Sequence, residues 1–125
     1  MAETTPSGQN RSSVYAKSGK VVLAIEGYHA IKDAEVCVLE AVRLFREQQS
    51  CVFVCDLRFM SGFDISARVT WQEHLHELRK HIRGLTMVGG SPLARMSGAA
   101  VCLYAGIKMR FADTIEQALA DPPPR

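Results

Sequence analysis

The sequence predicts an α/β domain: a mixed, mostly parallel sheet of about five strands with about four helices. Two observations carry most of this. Short apolar runs at residues 21–25, 52–54 and 85–88 have the near-continuous character of strands buried on both faces. Between them lie longer segments whose apolar residues recur at helical spacing. Strands alternating with helices imply a parallel sheet joined by right-handed crossovers.

The elements follow in order. SVYAKSGKVVLAIEG reads as a hairpin turning near Ser18 and Gly19, which adds one antiparallel strand. Asp33 offers an N-cap to a helix that runs to about Gln48. Ala34, Val38, Ala41, Val42 and Phe45 form its apolar side, while Glu35, Glu40, Arg43 and Glu47 face water. CVFVCDL is the next buried strand, followed by a loop over residues 58–66. A second helix is expected from about Ser66 to Arg83, closed by Gly84, with a core stripe of Trp71, Leu75, Leu78 and Ile82. LTMVGG is a third core strand. Ser91 and Pro92 suit the N-cap and first residue of a helix that Gly106 ends, and its Ser97-Gly98-Ala99-Ala100 segment allows close backbone packing. IKMRF is a last strand. Asp113 and Glu116 have capping-box spacing for a short final helix. Residues 1–12 are polar and rich in Ser, Thr, Gly and Pro, and are expected to form a flexible tail. The folded domain then spans 13–121, and residues 122–125 form a Pro-rich end.

Bulk properties exclude several classes. The chain has 125 residues, which suits one core, and a net charge of +2 implies no nucleic-acid partner. The basic group Arg79, Lys80 and Arg83 is placed at the end of the second helix, where the helix dipole favours it. No apolar run reaches the ~20 residues of a membrane span, and the N-terminus lacks the apolar centre of a secretory signal. A cytoplasmic location is expected. Cys37, Cys51, Cys55 and Cys102 sit among apolar neighbours without a C-x-x-C pair, as core thiols do. Cys51 and Cys55 fall on one face of a strand, ~13 Å apart, too far for a disulfide.

The sequence offers no chemistry. It lacks a nucleophile elbow, a P-loop and a dinucleotide fingerprint. Gly89-Gly90-Ser91-Pro92 is read as a tight strand-to-helix turn. His74, His76 and His81 have i,i+2 and i,i+5 spacings that do not converge on a metal, and His29 stands alone in a loop after the second strand. Asp56 and Asp64 are read as the end of a strand and the cap of the following helix. Neither a metal nor a cofactor is expected, and the protein is read as a non-enzyme. In a parallel sheet, functional groups gather on loops after the carboxyl ends of strands, here residues 27–30, 56–66 and 89–91. Phe59-Met60-Ser61-Gly62-Phe63 sets three large apolar groups in such a loop, with Gly62 as a hinge. It either presents an adhesive patch, folds down as a lid, or completes the core with Phe59 and Phe63.

From residue 14 to about 120 the chain resembles the STAS domains of bacterial anti-anti-sigma factors. The resemblance rests on the order of elements, Gly27, Asp56-Leu57 ending a central strand, and Asp64-x-Ser66 opening a helix. It implies a loop facing a kinase or sigma-regulator partner, and a phosphoacceptor serine directly after Asp64. This sequence has Ile65 there and Ala67 in place of a glycine, so that switch is absent, and Ser61 and Ser66 are the weaker candidates for phosphorylation. Asp56-Leu57 followed by Met60-Ser61-Gly62-Phe63, the Trp-bearing second helix, the segment from Arg83 to Gly89, and Phe111 before Glu116 and Ala118 are similar to the SpoIIAA-like subgroup. That resemblance implies a non-enzymatic regulatory module, or a carrier of an apolar or lipid-like ligand. The partner surface is then expected at Met60, Ser61, Gly62, Phe63, Asp64 and Ser66, with Tyr28 and His29 beside them. The alternative ligand pocket would be walled by Phe59, Phe63, Trp71 and Met87. The oligomeric state is left open, a homodimer included.

Overall fold

A computed structural model describes residues 10–120. The elements are β1 (Asn10–Lys17), β2 (Lys20–His29), α1 (Ile31–Gln48), β3 (Cys51–Phe63), α2 (Ile65–Glu77), β4 (Ile82–Val88), α3 (Pro92–Ala105), β5 (Met109–Ala112) and α4 (Ile115–Ala120). A single 3-10 turn, Arg79–His81, joins α2 to β4. The strands lie in the sheet in chain order, β1-β2-β3-β4-β5. The β1–β2 pair is antiparallel and the other three are parallel. The expected α/β class and element order are therefore present.

Strands added in sequence with one crossover hand set all their connecting helices on one face. The packing shows this. Buried residues of α1, α2 and α3 form one core with Val21, Leu23, Ile25, Phe53, Cys55, Leu85 and Met87. The intervening residues Val22, Val52, Val54 and Val88 point the other way and pack with Ala112 and with Ala118 of α4. Burial on both faces explains why these strands read as continuous apolar runs. All four cysteines are buried and free. Close approach of α3 to the sheet depends on Gly98, where an added Cβ would stand 2.5 Å from the Met87 sulfur.

Several boundaries differ from expectation. Residues 10–12, expected in the tail, pair with residues 25–27 as the start of β1, because β2 is long enough to offer them partners. The rest of that tail, and the Pro-rich end, fall outside the described residues. The second helix stops at Glu77. Leu78 and Ile82 are buried as the stripe requires, but Arg83 and Gly84 belong to β4, where Gly84 pairs with Val52. Sheet pairing with β3 overrides the local helix-stop signal. Helix α1 is not capped by Asp33. Ala30 is the N-cap, and Asp33 lies three residues on, accepting a hydrogen bond from the Ala30 N–H at 3.1 Å. In the final helix the cap is Thr114, one residue later than expected. Its hydroxyl accepts from the Gln117 N–H at 3.0 Å, and the Gln117 side chain accepts from the Asp113 N–H at 2.9 Å.

Candidate functional site

The segment expected as a loop over 58–66 is the outer half of β3. It pairs with β2 as far as His29 and Phe63, and the pairing slips twice. Between Ala24–Asp56 and Glu26–Phe59, two residues of β3 oppose one of β2; between Gly27–Met60 and Tyr28–Gly62, Ser61 is the extra residue. Each bulge inverts the in-out alternation of the strand. The first turns Phe59 away from the helices, leaving it 60% exposed beneath the Arg58 guanidinium, 5.0 Å from its ring centre. It also turns Met60 inward. The second brings Phe63 inward, so both pack at the edge of the core. Phe59 therefore does not wall the expected ligand pocket. Gly62 is no hinge. It is a strand residue over which the Tyr28 ring lies, with ring carbons 3.1 Å from where a Cβ would be.

Two adjoining spaces meet at this end of the sheet. The inner one, of about 100 Å³, lies between the sheet and helices α2 and α3; its walls include Phe53, Leu57, Trp71, Met87 and Gly98. The outer one is a groove of about 370 Å³ rimmed by Tyr28, Ser61, Ile65, Ser91 and Leu93. Met60, Phe63, Arg68, Ala94 and Ser97 line both. Of the expected pocket residues, Phe63, Trp71 and Met87 are thus brought together.

His29, expected in a loop on the contact surface, is the last residue of β2 and only 3% exposed. Trp71 Nε1 donates to its Nε2 at 3.0 Å, and its Nδ1 lies 2.9 Å from the Ser12 hydroxyl. An indole N–H only donates, so Nε2 accepts and the ring proton sits on Nδ1, directed at Ser12. Burial lowers the His29 pKa, against the opposing pull of Asp33 and Asp64. A protonated ring would face the Trp71 N–H with a second N–H. The neutral form is the one that folds, so the unfolded chain takes up the proton first. Stability is full above the unfolded pKa of ~6.5 and falls as pH drops below it, by at most about 1.4 kcal/mol per pH unit for one proton. Urea denaturation at pH 7.5 and 5.5 checks this. The His29→Gln variant should lose less stability than the wild type between those two pH values; an equal loss would remove His29 as the cause.

Asp64 is the N-cap residue of α2 by position, but its carboxylate does not cap that helix. It accepts from the Tyr28 hydroxyl at 2.7 Å and from the Ile31 N–H, in the first turn of α1, at 2.8 Å. The cap therefore serves the other helix, because β2 and β3 end side by side. The bond from Tyr28, then that from Ile31, hold the Asp64 pKa below its ordinary value; the same contact raises that of Tyr28. Asp56 is engaged separately. It lies inside β3 rather than at its end, and Arg58 grips both its oxygens at 2.9 and 2.8 Å. Burial works to raise the Asp56 pKa, but the bonds from Arg58 prevail and lower it. The two carboxylates have different partners and no shared chemistry.

His74 and His81 contact backbone carbonyls, and the His76 ring meets Tyr104 of α3 at 5.5 Å. Among the described residues no group of three or more His, Cys, Asp or Glu side chains is placed to hold a metal, and no helix is long and apolar enough to cross a membrane. Ser61 and Ser66 are both exposed. Sequence reading missed Arg68. Its signal was present: Arg68, Trp71 and Leu75 share i, i+3, i+7 spacing, so a guanidinium stands at a position of the core stripe.

No family model matches the chain, and no curated protein does. Solved structures do. An uncharacterised DUF3478-family protein with a SpoIIAA-like fold, from Shewanella loihica PV-4, is 12% identical with a TM-score of 0.66, over 87% of this chain and 89% of that one. The anti-sigma factor antagonist SpoIIAA in its unphosphorylated form is 14% identical with a TM-score of 0.68, over 87% and 94%. The phosphorylated form of SpoIIAA, a Bacillus cell fate determinant, is 18% identical with a TM-score of 0.65, over 87% and 96%. The strand order, the helix-covered face and the bulged end of β3 thus belong to a chain with the SpoIIAA-like, or STAS, fold.

Proposed function

We propose that this chain is a non-enzymatic regulatory module of the cytoplasm that works by binding a protein partner at the bulged end of β3. The observation that supports this most is the groove there. It is rimmed by Tyr28 and by two exposed aliphatic side chains, Ile65 at 72% and Leu93 at 66%. Apolar side chains displayed together around a concavity are what a partner covers. Met60 and Phe63 form the floor rather than the rim, and His29 supports it from beneath. The SpoIIAA likeness supports a regulatory role and a kinase or sigma-regulator class of partner. With Ile65 after Asp64, the modifiable hydroxyls are those of Ser61, on the bulge, and Ser66, in the first turn of α2. A phosphate at Ser66 would meet the positive end of the helix dipole and add charge beside the groove.

The expected result is that tagged wild-type protein captures a partner from native lysate and that the Ile65→Lys/Leu93→Lys pair, folded by circular dichroism, does not. Capture unchanged by the pair would rule out this surface. The inner cavity favours a second reading, a binder of a small apolar ligand, because its lining is almost wholly apolar and a concave apolar space can admit one.

A further inference from the structure

We propose that the inner cavity and the outer groove together form a binding site for a small amphipathic carboxylate, with Arg68 as the anchor of its charged end. This rests on the second reading above and names its ligand class. Among the described residues, Arg68 is the only Asp, Glu, Lys or Arg that lines either space, and it lines both. Its Nε is buried and has no hydrogen-bond partner among those residues. A buried N–H of a cation without an acceptor is costly, and the acceptor that fits a guanidinium edge best is a carboxylate. No acidic side chain lines the site to supply one.

The remaining walls ask for the opposite chemistry. Phe53, Leu57, Trp71 and Met87 line an open-mouthed apolar space that offers a water few hydrogen-bond partners. One molecule answers both demands if it carries an acid at one end and a hydrocarbon at the other. A cavity of about 150 Å³ holds benzene, so the 100 Å³ here takes about four carbons. With the acid at Arg68 the best fit is a chain near the length of hexanoate.

The test titrates hexanoate, hexan-1-ol and acetate into wild type, Arg68→Met and Gly98→Ala, each followed by methyl and amide NMR shifts. Gly98→Ala keeps Arg68 but drives the tip of Met87, 2.5 to 2.8 Å from the new methyl, into the cavity. The expected result is saturable hexanoate binding at least tenfold tighter than hexanol or acetate. It should weaken at least tenfold in Arg68→Met and in Gly98→Ala, while hexanol binding is unchanged in Arg68→Met. Hexanol binding as well as hexanoate, with no effect of Arg68→Met, would overturn this inference and leave an apolar-ligand site. Acetate binding as well as hexanoate would reduce the site to a simple anion contact. Absence of any binding to wild type would remove the second reading as well.

Discussion

Phe53→Ala is expected to destabilise the protein by ~3–5 kcal/mol, the usual cost of deleting a buried aromatic ring. Phe53 is fully buried near the start of β3. Its ring meets Phe45 of α1 edge-on at 5.2 Å and Trp71 of α2 at 5.7 Å. It therefore joins two helices to the central strand, and those aromatic contacts are lost along with the buried area. Because Phe53 also walls the inner cavity, truncation enlarges a void that is already present rather than opening one the surroundings can fill. A domain of this size has ~5–15 kcal/mol in hand, so much of its stability would go. Urea denaturation should show a large fall in midpoint at unchanged slope. Phe53→Leu, which keeps most of the volume, should cost ~1–1.5 kcal/mol. Equal costs for the two would show that the ring's contacts, lost in both variants, account for the whole effect and the volume that leucine keeps for none of it.

Gly89→Ala is expected to cost about twice as much as Gly106→Ala. Both glycines have positive φ, 70° and 77°, so each alanine bears the left-handed penalty of ~1–2 kcal/mol. They differ in surroundings. A Cβ at Gly106, past the end of α3, meets nothing within 4 Å. A Cβ at Gly89 stands 2.7 Å from Cγ and 3.0 Å from Cα of Arg58 on the neighbouring strand. The side chain could swing away, but the backbone atom is held between Asp56 and Phe59, both paired with β2. Overpacking of this kind adds ~1–3 kcal/mol. Thermal unfolding of the two variants side by side separates the conformational cost from the steric one. Equal shifts in Tm would mean that Arg58 yields freely.

Much of the fold was legible in the sequence because its signals are local. Alternating apolar runs and helical periods, the Ser91-Pro92 helix start and the Gly106 stop all depend on near neighbours. What was not legible depends on pairing. The two bulges in β3 cannot be seen in CDLRFMSGF, yet they decide that Met60 and Phe63 turn inward and Phe59 outward. Asp64 reads as a cap for the helix that follows it, and only the adjacency of β2 and β3 sends its carboxylate to α1. His29 reads as a lone polar residue until Trp71, forty-two positions away, donates to it. Arg68 alone could have been found, since its place on the apolar stripe of α2 is a matter of spacing.

The simple order of the sheet has a kinetic side. Val21 pairs with Phe53, Phe53 with Leu85, and Leu85 with Met109, so each step across the sheet closes a segment of roughly thirty residues or fewer. No strand has to enter between two that are already joined. The chain can therefore zip outward from the β1–β2 hairpin, each crossover helix settling as its strand arrives, and the entropy of closure is met in small instalments. Such a topology folds faster than one of equal size whose middle strand comes last.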